Sequence, residues 1–464
     1  MKKWLAFLLA LSVTMSLAAC VTDGNVNIDS GGEEGLSDSS ETLPGEESSG
    51  EYGFTGDSSE PSESAGQGSG VNSRSSSSKA VAGNSSSGGL NTSTPQTNTS
   101  SAGGVSFPNE TPGSPITRIN SPQNLRNTLT ANEKVYYDKM LDGLKSMPAY
   151  PGVEVYNGIP IDYDIELPKV QNAYFALKND YPDMFWLGNK IGTSMSSTGS
   201  VMKIYALPDY TCSVAEKTGF AAQLQLVLNE ASRTIVNNNM SLFQRELALH
   251  DWLANRVTYF QEAVQPGASY ENYKNAYNVI GALVEGKAVC EGYSRAFQLL
   301  LYEIGIDSML VTGKSRNNQG HMWNMVKLGS NWYHVDTTWD DSQDILTHFY
   351  FNLTDADIEA DHKNIAPSGH PAANSLDENY ARKVNGYIQT GADITEALTA
   401  GIQYAKERGL QRAEFSLAPD CDYGFSSGYD YETRIKEALK AVGIDGVYQY
   451  GQMSGTDKYL YVSW

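Results

Sequence analysis

Cys290-Glu291-Gly292-Tyr293-Ser294-Arg295-Ala296-Phe297-Gln298-Leu299-Leu300-Leu301-Tyr302-Glu303-Ile304-Gly305 is the stretch on which the fold turns. Ala296, Phe297, Leu300, Leu301 and Ile304 recur at helical spacing, and Gly305 stands just past the last turn, where a left-handed residue ends many helices. The stretch predicts a buried helix with Cys290 at its start. Three apolar runs follow: Ser308 to Thr312, His321 to Leu328 and Trp332 to Asp336, the last two joined by the short turn Gly329-Ser330-Asn331. They predict an antiparallel sheet against which the helix packs.

A cysteine nucleophile works as a thiolate, and the amide dipoles of a helix N-terminus and a neighbouring imidazolium both favour that anion. A base must reach the thiol, and a third group must hold the base in the useful tautomer. His321 opens one predicted strand and Asp336 closes the next. The turn near Ser330 lies nine residues after His321 and six before Asp336, so both fall on one side of the sheet. Contact between them needs a register offset of a few residues, which a bulge supplies. Cys290 as nucleophile, His321 as base and Asp336 as orienter are therefore the candidate catalytic residues.

Other readings of these residues compete. A cysteine in apolar surroundings is often only a packed thiol. His334 shares a strand face with Asp336 and reads as a structural hydrogen-bonding group, while Trp323, Trp332 and Trp339 read as core aromatics with one lining a groove as the alternative. A zinc site built from Cys290, His321 and Asp336 is disfavoured, because catalytic zinc uses tighter ligand pairing on one element. The Cys290 amide is one candidate oxyanion donor, and Tyr277, Asn278 and Trp323 are candidates for a second donor or for the groove. The chemistry requires no metal or organic cofactor.

The N-terminal residues read as a secretory signal: Lys2 and Lys3 precede an apolar run from Trp4 to Leu17 too short to span a bilayer comfortably. Leu17-Ala18-Ala19-Cys20 resembles the bacterial lipobox, in which the cysteine is acylated. Cys20 is thus the candidate lipidation site, and residues 1–20 the signal peptide. The expected location is extracytoplasmic, anchored by lipid to the bacterial membrane. With 54 acidic and 33 basic residues the chain carries a net charge of −21, which argues against nucleic acid as a partner and against electrostatic adhesion to anionic lipid. Four cysteines are too few for a disulfide scaffold, and a Cys212–Cys421 bridge stays open beside two separate thiols.

Residues 21–121 are rich in Ser, Gly, Thr, Asn and acidic groups, including Ser75-Ser76-Ser77-Ser78, and cannot bury enough apolar surface to offset ordering entropy. They predict a disordered tether with a root-mean-square span of roughly 50 to 60 Å. Order is expected near Thr130, where Thr130-x-x-Glu133 has capping-box form. Residues 122–239 predict a mainly helical subdomain, with Pro168 opening a helix that stops before Pro182, a strand at Val201 to Tyr205, and helices starting at Ser213-x-x-Glu216 and Ser241-x-x-Gln244. Residues 240–375 form the candidate catalytic core. Residues 376–464 alternate short strands and helices and predict a small, separate α/β module. The fold class is α+β.

Three segments carry a specific resemblance. Ala288-Val289-Cys290-Glu291-Gly292-Tyr293-Ser294-Arg295-Ala296-Phe297, Gly320-His321-Met322-Trp323-Asn324-Met325-Val326 and Trp332-Tyr333-His334-Val335-Asp336-Thr337-Thr338-Trp339-Asp340 resemble, in order, the three motifs of the transglutaminase-like superfamily. His250-Asp251-Trp252-Leu253 and Tyr350-Phe351-Asn352 with Asp355 and His362 resemble flanking parts of bacterial members. The resemblance implies a papain-like core in which Cys290 attacks a carbonyl, His321 moves protons and Asp336 orients His321. It further implies an acyl-transfer enzyme, peptidase or cross-linker, acting on extracellular peptide or protein amides, with the cell wall as a further target. The rival is a non-catalytic surface protein that binds peptide or wall polymer with a vestigial triad.

Overall fold

The helix starts expected at Thr130, Ser213 and Ser241 carry the geometry their side chains predict. The computed structural model describes residue 107 and residues 110–147, 152–158, 163–198, 201–341, 345–389, 394–419, 421, 431–452 and 458–464. The helices ahead of the site are α1 (Asn124–Thr128), α2 (Ala131–Leu144), α3 (Tyr163–Asp180), α4 (Val214–Glu230) and α5 (Leu242–Arg256). Capping boxes open α2, α4 and α5, with Glu133, Glu216 and Gln244 reaching back to the cap backbone at 2.8 Å in each case. Each such cap contributes about 1 kcal/mol. Pro168 does not open its helix as expected. It lies inside α3, past the first turn, so its missing N–H forfeits one backbone bond of the helix.

The signal segment, Cys20 and the Ser-rich stretch through residue 106 lie outside the described residues. The end of the expected tether is corrected: residues 110–121 pack on the body. The Gly113 N–H donates to Met240 O and that of Ile119 to Tyr302 O, both at 2.9 Å, and Arg118 pairs with Glu303 at 2.9 Å. Phe107 sets its ring edge-on to Phe243 at 4.9 Å. A few anchors spaced along a polar segment suffice to order it, although their density is too low to register as composition.

The N-terminal subdomain has the helices expected of it and also a sheet, of which the sequence predicts only the strand at Val201 to Tyr205. Strands β1 (Val153–Gly158), β2 (Leu187–Thr198) and β3 (Val201–Tyr210) form an antiparallel sheet in the order β1-β3-β2. β2 reads Leu-Gly-Asn-Lys-Ile-Gly-Thr-Ser-Met-Ser-Ser-Thr and has no apolar alternation, so the periodicity that reveals a half-buried strand is missing.

After α5 the chain makes two short parallel strands, β4 (Thr258–Tyr259) and β5 (Lys287–Ala288), and enters α6 (Cys290–Glu303). Every residue of α6 after Cys290 is buried, as expected for a central helix; each fully buried Leu or Phe contributes about 1.5–3 kcal/mol. α6 packs on a four-stranded antiparallel sheet of β6 (Asp307–Ser315), β7 (Gly320–Leu328), β8 (Asn331–Val335) and β9 (His362–Ala366), in the order β8-β7-β6-β9. The helix-on-sheet core thus matches its expectation.

The C-terminal residues form β10 (Tyr387–Ile388), β11 (Arg412–Leu417), β12 (Gln449–Gln452) and β13 (Tyr459–Ser463) in the order β10-β11-β13-β12, with helices Ile394–Glu407 and Tyr431–Ala441. They have their own core of Leu398, Ile402, Phe415, Ile435, Leu439 and Val462. Two corrections follow. Tyr380 and Val384, assigned to the module, belong to the main core, and the module is not separate: Tyr459 stacks on Phe349 at 5.0 Å. Cys212 and Cys421 are free thiols, so the bridge left open from the sequence is not formed. Among the described residues no helix is long and apolar enough to cross a membrane.

Candidate active site

Cys290 is the first residue of α6. Before it, Val289 is extended and donates its N–H to Ala276 O at 3.0 Å. Gly292 makes this entry possible: a Cβ there would meet Ala276 O at 2.5 Å, well inside contact distance. The first turn is fixed to β7 as well. The Ser294 hydroxyl lies 2.8 Å from Cys290 O and 2.9 Å from Met322 O, and Asn324 Nδ2 donates to Ser294 O at 3.0 Å. These bonds hold the half-buried thiol at the dipole-positive end of a helix, beside the strand that bears His321.

His321 and Asp336 meet across the β7/β8 ladder, with His321 Nε2 2.6 Å from Asp336 Oδ2. The ladder pairs Asn324 with Val335 and Met325 with His334, and Asp336, one residue past its end, reaches His321, three residues before Asn324 on the neighbouring strand. The pairing is regular, and the bulge offered from the sequence is not needed. Asp336 also caps helix α7 (Thr337–Asp340), its Oδ1 accepting from the N–H groups of Thr338 at 3.0 Å and Trp339 at 3.2 Å.

The electrostatics follow from this geometry. Burial disfavours a charged His321 ring, but the Asp336 carboxylate and hydrogen bonding with Cys290 outweigh it and raise the ring to about 10. Burial likewise opposes ionisation of Asp336, yet His321 and His362 together hold that carboxyl well below the usual range. The structure therefore brings the three sequence-predicted residues into one site, with His321 between Cys290 and Asp336.

The other candidates are corrected. The Tyr277 hydroxyl donates to Ala263 O at 3.0 Å. Asn278 Nδ2 donates to Phe185 O and Lys274 O at 3.3 Å each, and its Oδ1 accepts from the Ile280 N–H at 2.8 Å. Trp323 is fully buried beneath His321 and donates Nε1–H to His334 Nδ1 at 3.1 Å. Each donor is already committed, so none is left for an oxyanion. His334 has the structural role expected of it, passing its Nε2–H to Asp355 at 3.0 Å; burial keeps its pKa below the usual value.

Three groups near the site carry no catalytic role in the sequence reading, which has Trp339 as a core or groove aromatic and His362 only as a flanking part of the resemblance. His362 places Nε2 3.2 Å from Asp336 Oδ2. Trp339 lies against both imidazoles, with ring centres 5.3 Å from His321 and 4.3 Å from His362. Gln261, just past β4, has a buried Nε2 with no hydrogen-bond partner. No local pattern gives Gln261 or His362 a part in the site, since each is placed by the pairing of its strand with distant chain.

Among the described residues, three side-chain groups have donor atoms close enough for a metal: His321, Asp336 and His362; His250, Asp251 and His348; and His334, Asp355 and His370. In each, a ring nitrogen lies within 3.0 Å of a carboxylate oxygen, a contact that uses the ring proton. In the third, the Trp323 N–H also occupies His334 Nδ1, so metal at Nε2 would demand an imidazolate. The donor sets fit hydrogen-bonded relays better than metal centres.

Residues 229–337 match the family model of the transglutaminase-like superfamily, a span that includes Cys290, His321 and Asp336. The chain is similar to the kyphoscoliosis peptidase of Mus musculus, 27% identical over 123 residues covering 24% of this chain and 18% of that protein. It is similar to the Homo sapiens kyphoscoliosis peptidase at 26% over 141 residues, covering 28% of this chain and 19% of that protein. It thus spans less than a fifth of the length of these relatives. A crystal structure of a TGase aligns at 16% identity with a TM-score of 0.23, covering 45% of this chain and 58% of that one.

Proposed function

We propose, for a chain that carries a transglutaminase-like superfamily domain over residues 229–337, a thiol-dependent acyl-transfer enzyme acting on peptide or protein amides through a thioester on Cys290. The observation that carries it is His321 set between Asp336, at 2.6 Å on Nε2, and the Cys290 thiol. In the proposed sequence the Cys290 sulfur, its proton passed to His321, attacks the amide carbon. The tetrahedral oxyanion collapses as His321 gives that proton to the leaving amine, and the C–N bond breaks to leave the thioester. His321 then takes a proton from water or an acceptor amine as it attacks the thioester. Cys290 leaves and is reprotonated, releasing an acid or a new amide. Water is the favoured acceptor, which makes the chain a peptidase.

The oxyanion needs donors, and the Cys290 amide at the start of α6 is one. Gln261 is assigned here as the second. β4 runs parallel to β5 with Tyr259 opposite Ala288, and the Phe260 N–H donates to Ala288 O at 2.8 Å, which carries the unpartnered Gln261 amide to the level of Cys290. The Lys2-Lys3, Trp4 to Leu17 and Cys20 pattern supports a lipid-anchored, extracytoplasmic location, so the substrates are proposed to be extracellular peptides or proteins, wall-linked peptides included.

The test is the pH dependence of iodoacetamide labelling at Cys290. The reading expects rapid labelling well below pH 8 in the wild type and loss of that advantage in His321→Ala. An ordinary thiol curve in both proteins removes the enzyme reading and leaves the binding-protein alternative.

A further inference from the structure

His362 lies on β9, and no step proposed above uses it. Its Nδ1 is 2.7 Å from Asp361 Oδ1 and its Nε2 is 3.2 Å from Asp336 Oδ2, with the ring fully buried. A ring that faces a carboxylate at each nitrogen satisfies both only by donating from both, which takes two ring protons and a positive charge. The surroundings suit a cation. Trp339, Trp323 and Tyr350 place ring centres 4.3, 4.6 and 5.7 Å from it. Asp361 is itself held toward His362, because its Oδ2 accepts from the Tyr350 hydroxyl at 2.6 Å and from Arg316 at 3.1 Å, leaving Oδ1 for the imidazole.

We propose that His362 is a positioning residue: an imidazolium that shares Asp336 Oδ2 with His321 and limits how firmly that carboxylate holds the His321 proton. This rests on the reading of Cys290 and His321 as nucleophile and base. The two rings are 5.4 Å apart and converge on one oxygen. Two cations at that separation repel, and each weakens the other's hold on the shared anion. Asp336 alone, dry and ionised, would grip the His321 proton too strongly for its transfer to a leaving amine. A second donor on the same oxygen loosens that grip while keeping the carboxylate charged.

Charged and titratable groups face His362 from several sides, with Lys363 next to it in β9 and Lys314 opposite Lys363 on β6. Asp336 and His321 face it from the β7/β8 end, Asp361 with Arg316 and Tyr350 from its other side, and His334 across Trp323.

The experiment uses the full chain as wild type, His362→Gln and Asp361→Asn. Cys290 is alkylated with iodoacetate and, separately, iodoacetamide across the pH range, in pulses short enough to keep the protein folded. Iodoacetate is an anion drawn by the His321 imidazolium, so the ratio of the two rates falls where that proton leaves. In His362→Gln the side-chain amide keeps a donor toward Asp336 and removes the charge. In Asp361→Asn the His362 ring no longer needs its second proton, and Asp336 stays untouched. Both variants are expected to move the fall in the ratio upward by about one pH unit or more. A midpoint unmoved or lowered in the variants overturns the proposal while leaving the nucleophile and base standing. A wild type whose ratio never falls, and whose thiol labels ordinarily, removes the catalytic reading and this proposal with it. Should His362→Gln fail to fold, Asp361→Asn decides alone.

Discussion

Asp336 stands one residue past the Asn324–Val335 pair that ends the β7/β8 ladder, and its Oδ2 lies 2.6 Å from Nε2 of His321, three residues before Asn324 on the neighbouring strand. The other carboxylate oxygen caps α7, so a single side chain ends a strand, begins a helix and orients an imidazole. The Trp323 indole forms the floor under His321, with ring centres 5.9 Å apart.

Asp336→Asn separates these duties. The asparagine oxygen still caps α7, so the helix is kept, but His321 and His362 lose the buried anion they share and the melting temperature at pH 7 is expected to fall. Its amide turned to His321 Nε2 selects the wrong tautomer, and turnover is expected to fall by about 10³- to 10⁴-fold. Circular dichroism, melting temperature and the rate of acyl-enzyme formation, measured on one preparation, check these expectations; a lowered melting temperature beside an unchanged rate would contradict the orienting role.

Gln261→Ala is expected to lower kcat by about 10²- to 10³-fold, the usual loss when one oxyanion donor is removed. The iodoacetamide rate at Cys290 should stay within a factor of two or so, because alkylation develops no oxyanion. A parallel drop in both rates would show that Gln261 supports the thiol instead.

Gly292→Ala places a methyl group 2.5 Å from Ala276 O, a backbone atom that cannot swing away. The start of α6 must shift, and a displacement near 1 Å is expected to cost about 10²-fold in turnover. Labelling of Cys290 and circular dichroism, read together, distinguish this local shift from global unfolding.

A second buried chain of charges predicts how stability depends on pH. Asp340, His250, Asp251, His348 and Glu414 follow one another at 3.2, 3.0, 3.0 and 3.3 Å, linking α7, α5 and the C-terminal sheet. Burial opposes charge on both rings, but their carboxylate partners raise His250 to about 8 and His348 to about 10. Both values exceed the unfolded histidine value near 6.5, so their stabilisation is complete below about pH 6.5 and is lost as pH rises through the folded values. Glu246, raised to about 8 by burial, acts in the same direction. Lys178, lowered to about 8 by burial, opposes it only above that pH. The unfolding free energy is therefore expected to fall between pH 6.5 and 8, and His348→Gln to flatten the fall. A denaturant midpoint constant across that window would refute the assignment.

The elements set by near neighbours were legible in the residues alone. Capping boxes at Thr130, Ser213 and Ser241 involve groups three positions apart, the apolar face of α6 repeats within two turns, and the Gly329-Ser330-Asn331 turn brings β7 and β8 together. Motif order identified Cys290, His321 and Asp336, and the antiparallel hairpin put the last two at one end of the sheet. Local signals suffice where a bond spans a few residues, because the chain's own geometry then limits the partners.

Tertiary structure decided the rest. β9 pairs with β6 across a separation of nearly fifty residues, and only that pairing delivers His362 to Asp336. The parallel step of β4 on β5 likewise sets the segment that bears Gln261 along the one that enters α6, and the polar strand β2 becomes a strand only by pairing with β3. Tyr277, Asn278 and Trp323 have the right atoms for a donor, yet their bonds to Ala263, Phe185 and His334 spend them elsewhere. The physical reason is common to all: whether a buried donor is free depends on which acceptors packing brings to it, and those acceptors come from chain tens of residues away.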